Sequence, residues 1–377
     1  MDRLWSVLVK STKYVCCGVC FALTAFVLFL FVCHTGKTKA GDQVNPVDYA
    51  VADRFARYMN NSISDALDGV LSIEKVYWLS DSDLVAPEPN PECYGTSNDP
   101  EVLQSVIDSV SDLLDGQQLL FKPDTPIYQD TTVSYYHDPT ILAITWKQLI
   151  NDTVYNISEI KIADSSQFRR FLSDGEYSSG SKYLTSEMAS SVNAVVATNG
   201  DYYAMRKMGT IVYNSQVMRA EGHRMDTCFI DSNGDMQFVY AREMTEEEDI
   251  CQYVQENGIR FILAFGPVLI EDGKVCKVNK PYPVGELDIP NARAALCQMD
   301  SLHYLMVIAS VQPPYDDGIM MLEFAETLET FGCKMAYNLD GGRSASLAVD
   351  GKLQNYVYER LVSDIIYFAT AIPNGEK

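Results

Sequence analysis

An uncharged stretch near the N-terminus constrains the fold of this chain more than any other feature. Residues 14–33 contain no Asp, Glu, Lys or Arg and are rich in Phe, Leu, Val and Ala. A helix needs about 20 such residues to cross ~30 Å of hydrocarbon, so the stretch predicts a transmembrane helix. Basic residues flank it on both sides, which gives only a slight bias toward a cytoplasmic N-terminus.

We interpret this stretch as a signal anchor. Residues 1–13 would then be a short cytoplasmic segment, and the rest of the chain would lie outside the cytoplasm. The expected location is the cell membrane, with a single span. A cleaved signal peptide is the alternative, and its only small-residue cleavage site would be Thr38-Lys39-Ala40.

The charge balance excludes one class of partner. The chain of 377 residues carries a formal net charge of −22, whereas proteins that bind nucleic acid carry an excess of Lys and Arg. A ligand that bears phosphate would therefore need a local basic pocket. The 47% hydrophobic and 21% charged content is that of a globular protein with a buried core.

Six cysteines lie outside the predicted membrane segment: Cys93, Cys228, Cys251, Cys276, Cys297 and Cys333. Their even number permits disulfides in an exported chain. Their wide spacing and the apolar surroundings of three of them favour buried free thiols instead. No CxxC motif or Cys/His cluster occurs among them, so we expect no metal site and no cofactor.

Residues 34–118 are predicted to form a helical and Pro-rich stalk region. One helix is indicated at 48–68, and the alternating prolines of 86–92 indicate an extended linker. A second helix is indicated between Asp99, a suitable N-cap, and Gly116. Its wide apolar stripe needs a partner, either the main domain, which we prefer, or another chain.

Residues 119–377 have the pattern of an α+β domain. Three dipeptides between apolar stretches predict hairpins: Asn233-Gly234, Asp272-Gly273 and Asp350-Gly351. Helices are indicated at 245–258 and 320–331. Strands are indicated at 194–198, 260–265, 305–310, 335–339 and 365–371. We therefore expect a mixed, largely antiparallel sheet with interleaved helices.

Two of these strands end in clusters of glycine and polar residues. The first cluster contains Asn199, Gly200 and Asp201, and the second runs from Asp340 through Gly341, Gly342 and Arg343 to Ser344. Glycines at a strand end let the backbone turn sharply and approach a ligand, with N–H groups free to bind an anion. Each cluster by itself is also compatible with a tight turn.

Two further segments carry unusual residues. Gly266-Pro267 interrupts an apolar strand, which removes the backbone from a regular ladder. Arg293 stands among small apolar residues. A buried Arg is costly unless paired, and a phosphate or carboxylate bound bidentately is the usual partner. An internal ion pair is the alternative.

These four segments, in this order, resemble the phosphodiester glycosidase family. The resemblance rests on Asn199-Gly200, Gly266-Pro267, Arg293 with Gln298, and Leu339-Asp340-Gly341-Gly342, and it covers roughly residues 127–372. The chain departs from the family pattern at Arg343 and Cys297, where many relatives carry glycine, and at Ala345, where they carry serine. These departures leave the identity of the substrate more open than the fold.

The resemblance implies hydrolysis of a sugar-1-phosphodiester bond in cell-surface or exported glycans, such as exopolysaccharide of the cell envelope. It implies Asp340 as the carboxylate at the reacting centre and Asp201 as a second one. Arg293, and also Arg343, would hold the phosphate. The remaining candidates for substrate binding are Asn199, Gly200, Gly341, Gly342 and Ser344. A serine nucleophile is disfavoured because no His lies within the motifs to activate it.

Two other classes of function remain open. One is a carbohydrate- or cell-wall-binding protein without turnover, against which the presence of Asp340 together with Arg293 argues. The other is a hydrolase that attacks phosphorus, against which the lack of a metal cluster or an activated nucleophile argues.

Overall fold

The computed structural model describes residues 79–372, apart from 81–82, 207–208, 222–223, 244–245, 279–281, 284–285 and 311–317. The predicted anchor at 14–33 and the predicted helix at 48–68 lie outside this range. No helix within the described range is long and apolar enough to cross a membrane.

The described elements alternate between short strands and a few helices. The helices are α1 (Pro100–Asp108), α2 (Ser111–Leu114), α3 (Thr185–Ser191), α4 (Glu247–Glu256) and α5 (Met321–Thr330). The strands are β1 (Tyr94–Ser97), β2 (Val133–Asp138), β3 (Ile141–Ile150), β4 (Thr153–Ile162), β5 (Phe168–Leu172), β6 (Val196–Asn199), β7 (Ile211–Tyr213), β8 (Gln216–Arg219), β9 (Thr227–Ile230), β10 (Met236–Val239), β11 (Phe261–Leu263), β12 (Val268–Glu271), β13 (Lys274–Val275), β14 (Arg293–Asp300), β15 (His303–Ser310), β16 (Met335–Leu339), β17 (Leu347–Val349), β18 (Lys352–Leu353) and β19 (Asp364–Phe368).

Two large sheets organise the fold. One has nine strands in the order β1-β2-β3-β4-β15-β14-β16-β12-β13, and the other has five in the order β18-β17-β6-β19-β5. Smaller sheets are formed by β10-β9-β11 and by β7-β8. The pairings of named strands in the described range are antiparallel. The predicted α+β class is therefore confirmed.

The two sheets pack face to face, with helices on the outside. Alternate residues of β15 show this. Val307 belongs to the buried cluster that contains residues of α1, α2 and α5, whereas Met306 belongs to the cluster that contains Ile366 and Leu347 of the five-stranded sheet. The other face of the five-stranded sheet is covered by α3, through Met188. Strands buried on both faces are continuously apolar, which explains the apolar runs in the sequence.

The main domain begins earlier than the predicted boundary at residue 119. β1 pairs with β2 at the edge of the nine-stranded sheet, and Leu103 and Val106 of α1 lie in its core. Asp99 caps α1 as expected, with its side chain accepting from the Glu101 N–H. The apolar stripe thus packs on the main domain, because burying it there removes it from water.

The six cysteines outside residues 14–33 are unpaired, and Cys228, Cys297 and Cys333 are buried. This agrees with the expectation of buried free thiols. The three predicted hairpins are also present, as β9-β10, β12-β13 and β17-β18.

Candidate functional site

The second glycine cluster connects the two large sheets. β16 of the nine-stranded sheet ends at Leu339, and β17 of the five-stranded sheet begins at Leu347. A Cβ on Gly341 would stand 2.6 Å from the carbonyl oxygen of Ala292, so only glycine fits there. Gly342 has a φ of +59°, a conformation that favours glycine. The residues between these strands, 340–346, are called the crossover below.

A cleft of about 1010 Å³ opens beside the crossover. It is lined by Tyr202, Phe265, Glu286, Asn291, Ala292, Arg293, Asn338, Leu339, Asp340, Gly341, Gly342, Arg343, Tyr356, Val357, Tyr358 and Arg360. Three arginines and two carboxylates are among these lining residues. The cleft is therefore locally basic on a strongly acidic chain, which is the environment that a phosphate-bearing ligand requires.

Asp340 presents its carboxylate to this cleft. Its Oδ2 accepts hydrogen bonds from Ser344 Oγ at 2.7 Å and from Arg360 Nη2 at 2.5 Å, and Arg360 Nε also donates to Ser344 Oγ at 2.5 Å. Its other oxygen, Oδ1, has no hydrogen-bond partner among the described residues. One oxygen is thus held by two donors, and the other is available to a ligand.

Arg293 lies in the wall of the cleft but is occupied by backbone carbonyls. Its Nε donates to Ile319 O at 3.0 Å, and its Nη2 donates to Glu286 O and Ile289 O at 2.8 and 2.7 Å. The side chain is almost fully buried, and this burial lowers its pKa. Two of its three nitrogens therefore bind the backbone of the loop beneath the cleft. Arg293 is not free to bind a phosphate bidentately, contrary to the prediction from the sequence.

Arg343 and Arg360 are the more accessible cations of the cleft. Arg343 is exposed and donates from Nε to Tyr358 O at 3.2 Å, and its two terminal nitrogens have no partner within the described part of the chain. The Arg360 side chain is 50% exposed. Sequence reasoning missed Arg360, since it lies in a loop between β18 and β19 with no motif around it.

Asn199 lies behind the cleft and supports the crossover. Its Nδ2 donates to Asp340 O at 2.8 Å, and its Oδ1 accepts from the Ser346 N–H at 3.2 Å. The side chain is buried. Both ends of the Asn199 carboxamide thus bind the backbone of the crossover that carries Asp340. The side chain is not placed to contact a substrate directly, contrary to the prediction from the sequence.

Asp201 is buried in an ionic cluster instead of facing the cleft. Its carboxylate accepts from Arg170 at 3.0 Å and from Arg206 at 3.1 Å, and Arg170 also pairs with Asp364 at 2.7 Å. Burial disfavours the charged form of Asp201, but the neighbouring Arg170 and Arg206 outweigh this effect, so the pKa of Asp201 is lowered. The pKa of Asp364 is raised, because burial is the larger effect there. The second carboxylate that lines the cleft is Glu286, which the sequence did not indicate.

Gly200 is explained by the same cluster. A Cβ at this position would stand 2.1 Å from Oδ2 of Asp364, so a side chain would collide with the buried carboxylate. Gly342 also differs from its expected role, because its N–H already donates to Ala292 O at 2.9 Å. Gly200 thus serves close packing, and the N–H of Gly342 is already used by the backbone, so neither glycine is placed as a ligand contact.

Asn338 carries an unused acceptor at the cleft wall. Its Nδ2 donates to Gly266 O at 2.7 Å, and its side-chain Oδ1 is buried without a hydrogen-bond partner among the residues that the structure describes. A buried polar atom without a partner costs ~1–3 kcal/mol of stability. No group of three or more His, Cys, Asp or Glu in the described range could hold a metal ion.

Comparisons with known proteins give a family match and a similar fold. Residues 192–369 match the family model described as phosphodiester glycosidase. This matched range begins later in the chain than the resemblance inferred from the sequence, which covers roughly residues 127–372. The catalytic domain of zebrafish N-acetylglucosamine-1-phosphodiester alpha-N-acetylglucosaminidase, auto-inhibited by its pro-peptide, has a similar fold, with a TM-score of 0.50 and 18% identity over 62% of this chain and 85% of that chain.

A hypothetical protein from Synechocystis is more distant. It has a TM-score of 0.43 and 14% identity over 65% of this chain and 64% of that chain. No curated protein matches the chain in sequence.

Proposed function

Because residues 192–369 belong to the phosphodiester glycosidase family, we propose that this chain hydrolyses a glycosyl phosphodiester at the anomeric carbon. The observation that carries the proposal is the position of Asp340. It lines the same cleft as Arg343 and Arg360, with one carboxylate oxygen held and the other available. A carboxylate beside two cations suits a sugar that carries a phosphate on C1.

In the proposed reaction, the bond between C1 and the phosphate oxygen breaks. Its electron pair goes to that oxygen, a water oxygen bonds to C1, and the proton released by the water is taken up by the carboxylate of Glu286. A phosphate monoester is a good leaving group once its charge is neutralised, so Arg343 and Arg360 would replace a strong general acid. Asp340 would stabilise the positive charge that develops at C1.

Two further residues fit this reaction. Glu286 is the other carboxylate at the cleft and would assist the attacking water. Arg293 would act as a positioning residue, since its carbonyl contacts hold the segment that bears Glu286.

We also propose that the reaction takes place outside the cytoplasm, on a cell-surface or exported glycan. This part of the proposal is supported by the sequence alone, through the uncharged segment at 14–33 and the two flanking groups of basic residues.

Hydrolysis in ¹⁸O-labelled water tests the proposed site of cleavage. The full chain is incubated with hexose 1-phosphodiesters, and the phosphate monoester product is analysed by mass spectrometry. Cleavage at C1 leaves the phosphate unlabelled, whereas attack at phosphorus places ¹⁸O in it. Labelled phosphate would show that the rival hydrolase class is correct. Binding of the same compounds without any turnover would favour the carbohydrate-binding alternative.

A further inference from the structure

Exposed apolar side chains are concentrated beside the cleft. Twelve large apolar side chains are exposed in the described part of the chain, and six of them belong to segments that line or adjoin the cleft. Apolar side chains scattered singly over a surface need no explanation, but a group around one cleft indicates a contact surface. The six are called the apolar rim below, and they are Met205, Ile289, Met320, Tyr356, Tyr358 and Leu361.

The segment 356–361 contributes three members of the apolar rim. Tyr356 and Tyr358 line the cleft, and Leu361 directly follows the lining residue Arg360. The segment is held against the crossover, since the Arg360 N–H donates to Arg343 O at 3.3 Å and Arg343 Nε donates to Tyr358 O at 3.2 Å. These exposed side chains therefore have a fixed place beside the cleft.

The other three members come from two further parts of the chain. The N–H of Met205 donates to the carbonyl of Tyr202, which lines the cleft, at 2.8 Å. The carbonyl of Ile289 accepts from Arg293 Nη2 at 2.7 Å. Met320 directly follows the residue whose carbonyl accepts from Arg293 Nε at 3.0 Å. The apolar rim is thus assembled from distant segments that meet at the cleft.

The charge beside the apolar rim differs from that of the whole chain. Arg343 is exposed and the Arg360 side chain is half exposed, on a chain with a formal net charge of −22. An acidic surface is repelled by anionic lipid, whereas arginine side chains pair with the phosphates of lipid headgroups. Tyrosines and aliphatic side chains together with arginines are the residues that proteins place at the interface between membrane and water.

The part of the chain before the described range brings a membrane within reach. The uncharged segment 14–33 is predicted to span it, and 45 residues separate this segment from Leu79, the first described residue. A tether of this length reaches at most ~160 Å when extended. A domain of this size is only ~50 Å across. Any face of the domain can therefore reach the membrane, and the exposed side chains decide which face binds it.

We propose that the apolar rim rests on a lipid bilayer, so that the cleft opens onto the membrane surface and the phosphate of its substrate is esterified to a lipid. The identity of the substrate rests on the proposed function, whereas the docking does not. The bonds that form and break stay the same, and the leaving group is a lipid phosphate monoester that remains in the bilayer. A second copy of the chain is the other possible occupant, and the acidic charge of both copies disfavours it.

Tryptophan fluorescence of the full chain in lipid nanodiscs tests the docking. The variants Leu361→Trp and Ile289→Trp each place an indole in the apolar rim, at side chains that are 54% and 51% exposed. Val102→Trp is the matched control, because Val102 is 40% exposed on α1, which follows β1, and four strands separate β1 from β14. Lipids brominated on their acyl chains quench an indole that enters the hydrocarbon, and the signal of the three native tryptophans is subtracted.

Quenching at both rim positions should exceed that of the control several-fold. Equal quenching at all three positions, or none in the rim, would overturn the docking. Failure of the chain to incorporate into nanodiscs would also overturn it, because the tether is then absent. Rim emission that changes only when two chains share one nanodisc would show a contact between copies instead of a contact with lipid.

A pair of substrates tests the lipid ester. Both contain the same hexose 1-phosphate, esterified either with methanol or with hexadecanol, and the second is embedded in the nanodiscs. Changing Leu361→Asp and Ile289→Asp together should lower the rate on the hexadecyl ester on the order of tenfold relative to the methyl ester, whereas Val102→Asp should not. An equal loss on both esters, or cleavage of the methyl ester alone, would overturn the lipid substrate. A quenched rim without cleavage of either ester would refute the proposed hydrolysis and leave the docking in place.

Discussion

Replacing Asp340 by Asn removes the negative charge at the proposed reacting centre while keeping its shape. The carboxamide oxygen of Asn can still accept from Ser344 Oγ and Arg360 Nη2, which now donate at 2.7 and 2.5 Å. The change therefore isolates the charge from the geometry of the crossover.

The expected effect on turnover is much larger than the effect on folding. Loss of a charged group that stabilises the transition state in a closed site costs ~2–4 kcal/mol, which is roughly a 30- to 1,000-fold decrease in kcat. The ion pair with Arg360 is partly screened by water, because the arginine side chain is 50% exposed. Such pairs contribute only ~0–1 kcal/mol to folding, so the melting temperature should change little.

The assay compares kcat, KM and melting temperature of the wild type and two variants on one hexose 1-phosphodiester. Asp350→Asn is the matched control. Asp350 also pairs through one oxygen with a cation, Lys352, at 2.6 Å, but it lies in the β17-β18 hairpin and does not line the cleft. The reasoning is refuted if Asp340→Asn retains most of its kcat, or if it loses activity only by unfolding.

Three further predictions concern other parts of the chain. Asp201→Asn should destabilise the fold by ~3–5 kcal/mol, measured by urea unfolding, because buried Arg170 and Arg206 each lose a charged partner. A variant that is as stable as the wild type but inactive would instead indicate a catalytic role for Asp201. Reducing agent should shift the melting temperature little, since the six described cysteines are free; a drop of several degrees would reveal a disulfide, worth ~2–5 kcal/mol. The full chain should fractionate with membranes and resist alkaline extraction because of residues 14–33; release into the supernatant, or cleavage near Ala40, would indicate a signal peptide.

Much of the local structure could be predicted from the sequence. The strand predicted at 335–339 coincides with β16, and the helix predicted at 320–331 contains α5, Met321–Thr330. The Asn-Gly and Asp-Gly turns form hairpins as expected, because their backbone conformation depends on the turn residues themselves. The extent of the domain was less predictable. β1 has only four residues and joins the sheet through backbone hydrogen bonds, which any residue except proline can form, so its sequence shows no clear strand pattern.

The candidate site was predicted only in part. Asp340 and Arg343 were identified, and both line the cleft. Asp201 and Arg293 were chosen for their charge, yet the first is paired with arginines and the second is occupied by carbonyl oxygens. A charged residue after a buried strand has the same sequence pattern whether it turns toward a cleft or toward the core.

The sequence by itself determined the α+β class, the position of the glycine clusters and the acidic character of the chain. These properties follow from local preferences and composition, which need no knowledge of distant neighbours. Only the tertiary structure decided which polar groups share one cleft. Arg360 and Tyr358 lie far along the chain from Glu286, and they meet only because the crossover joins the two sheets at this point. Contacts between residues so distant in sequence depend on how the layers pack, and no periodicity or motif records that packing.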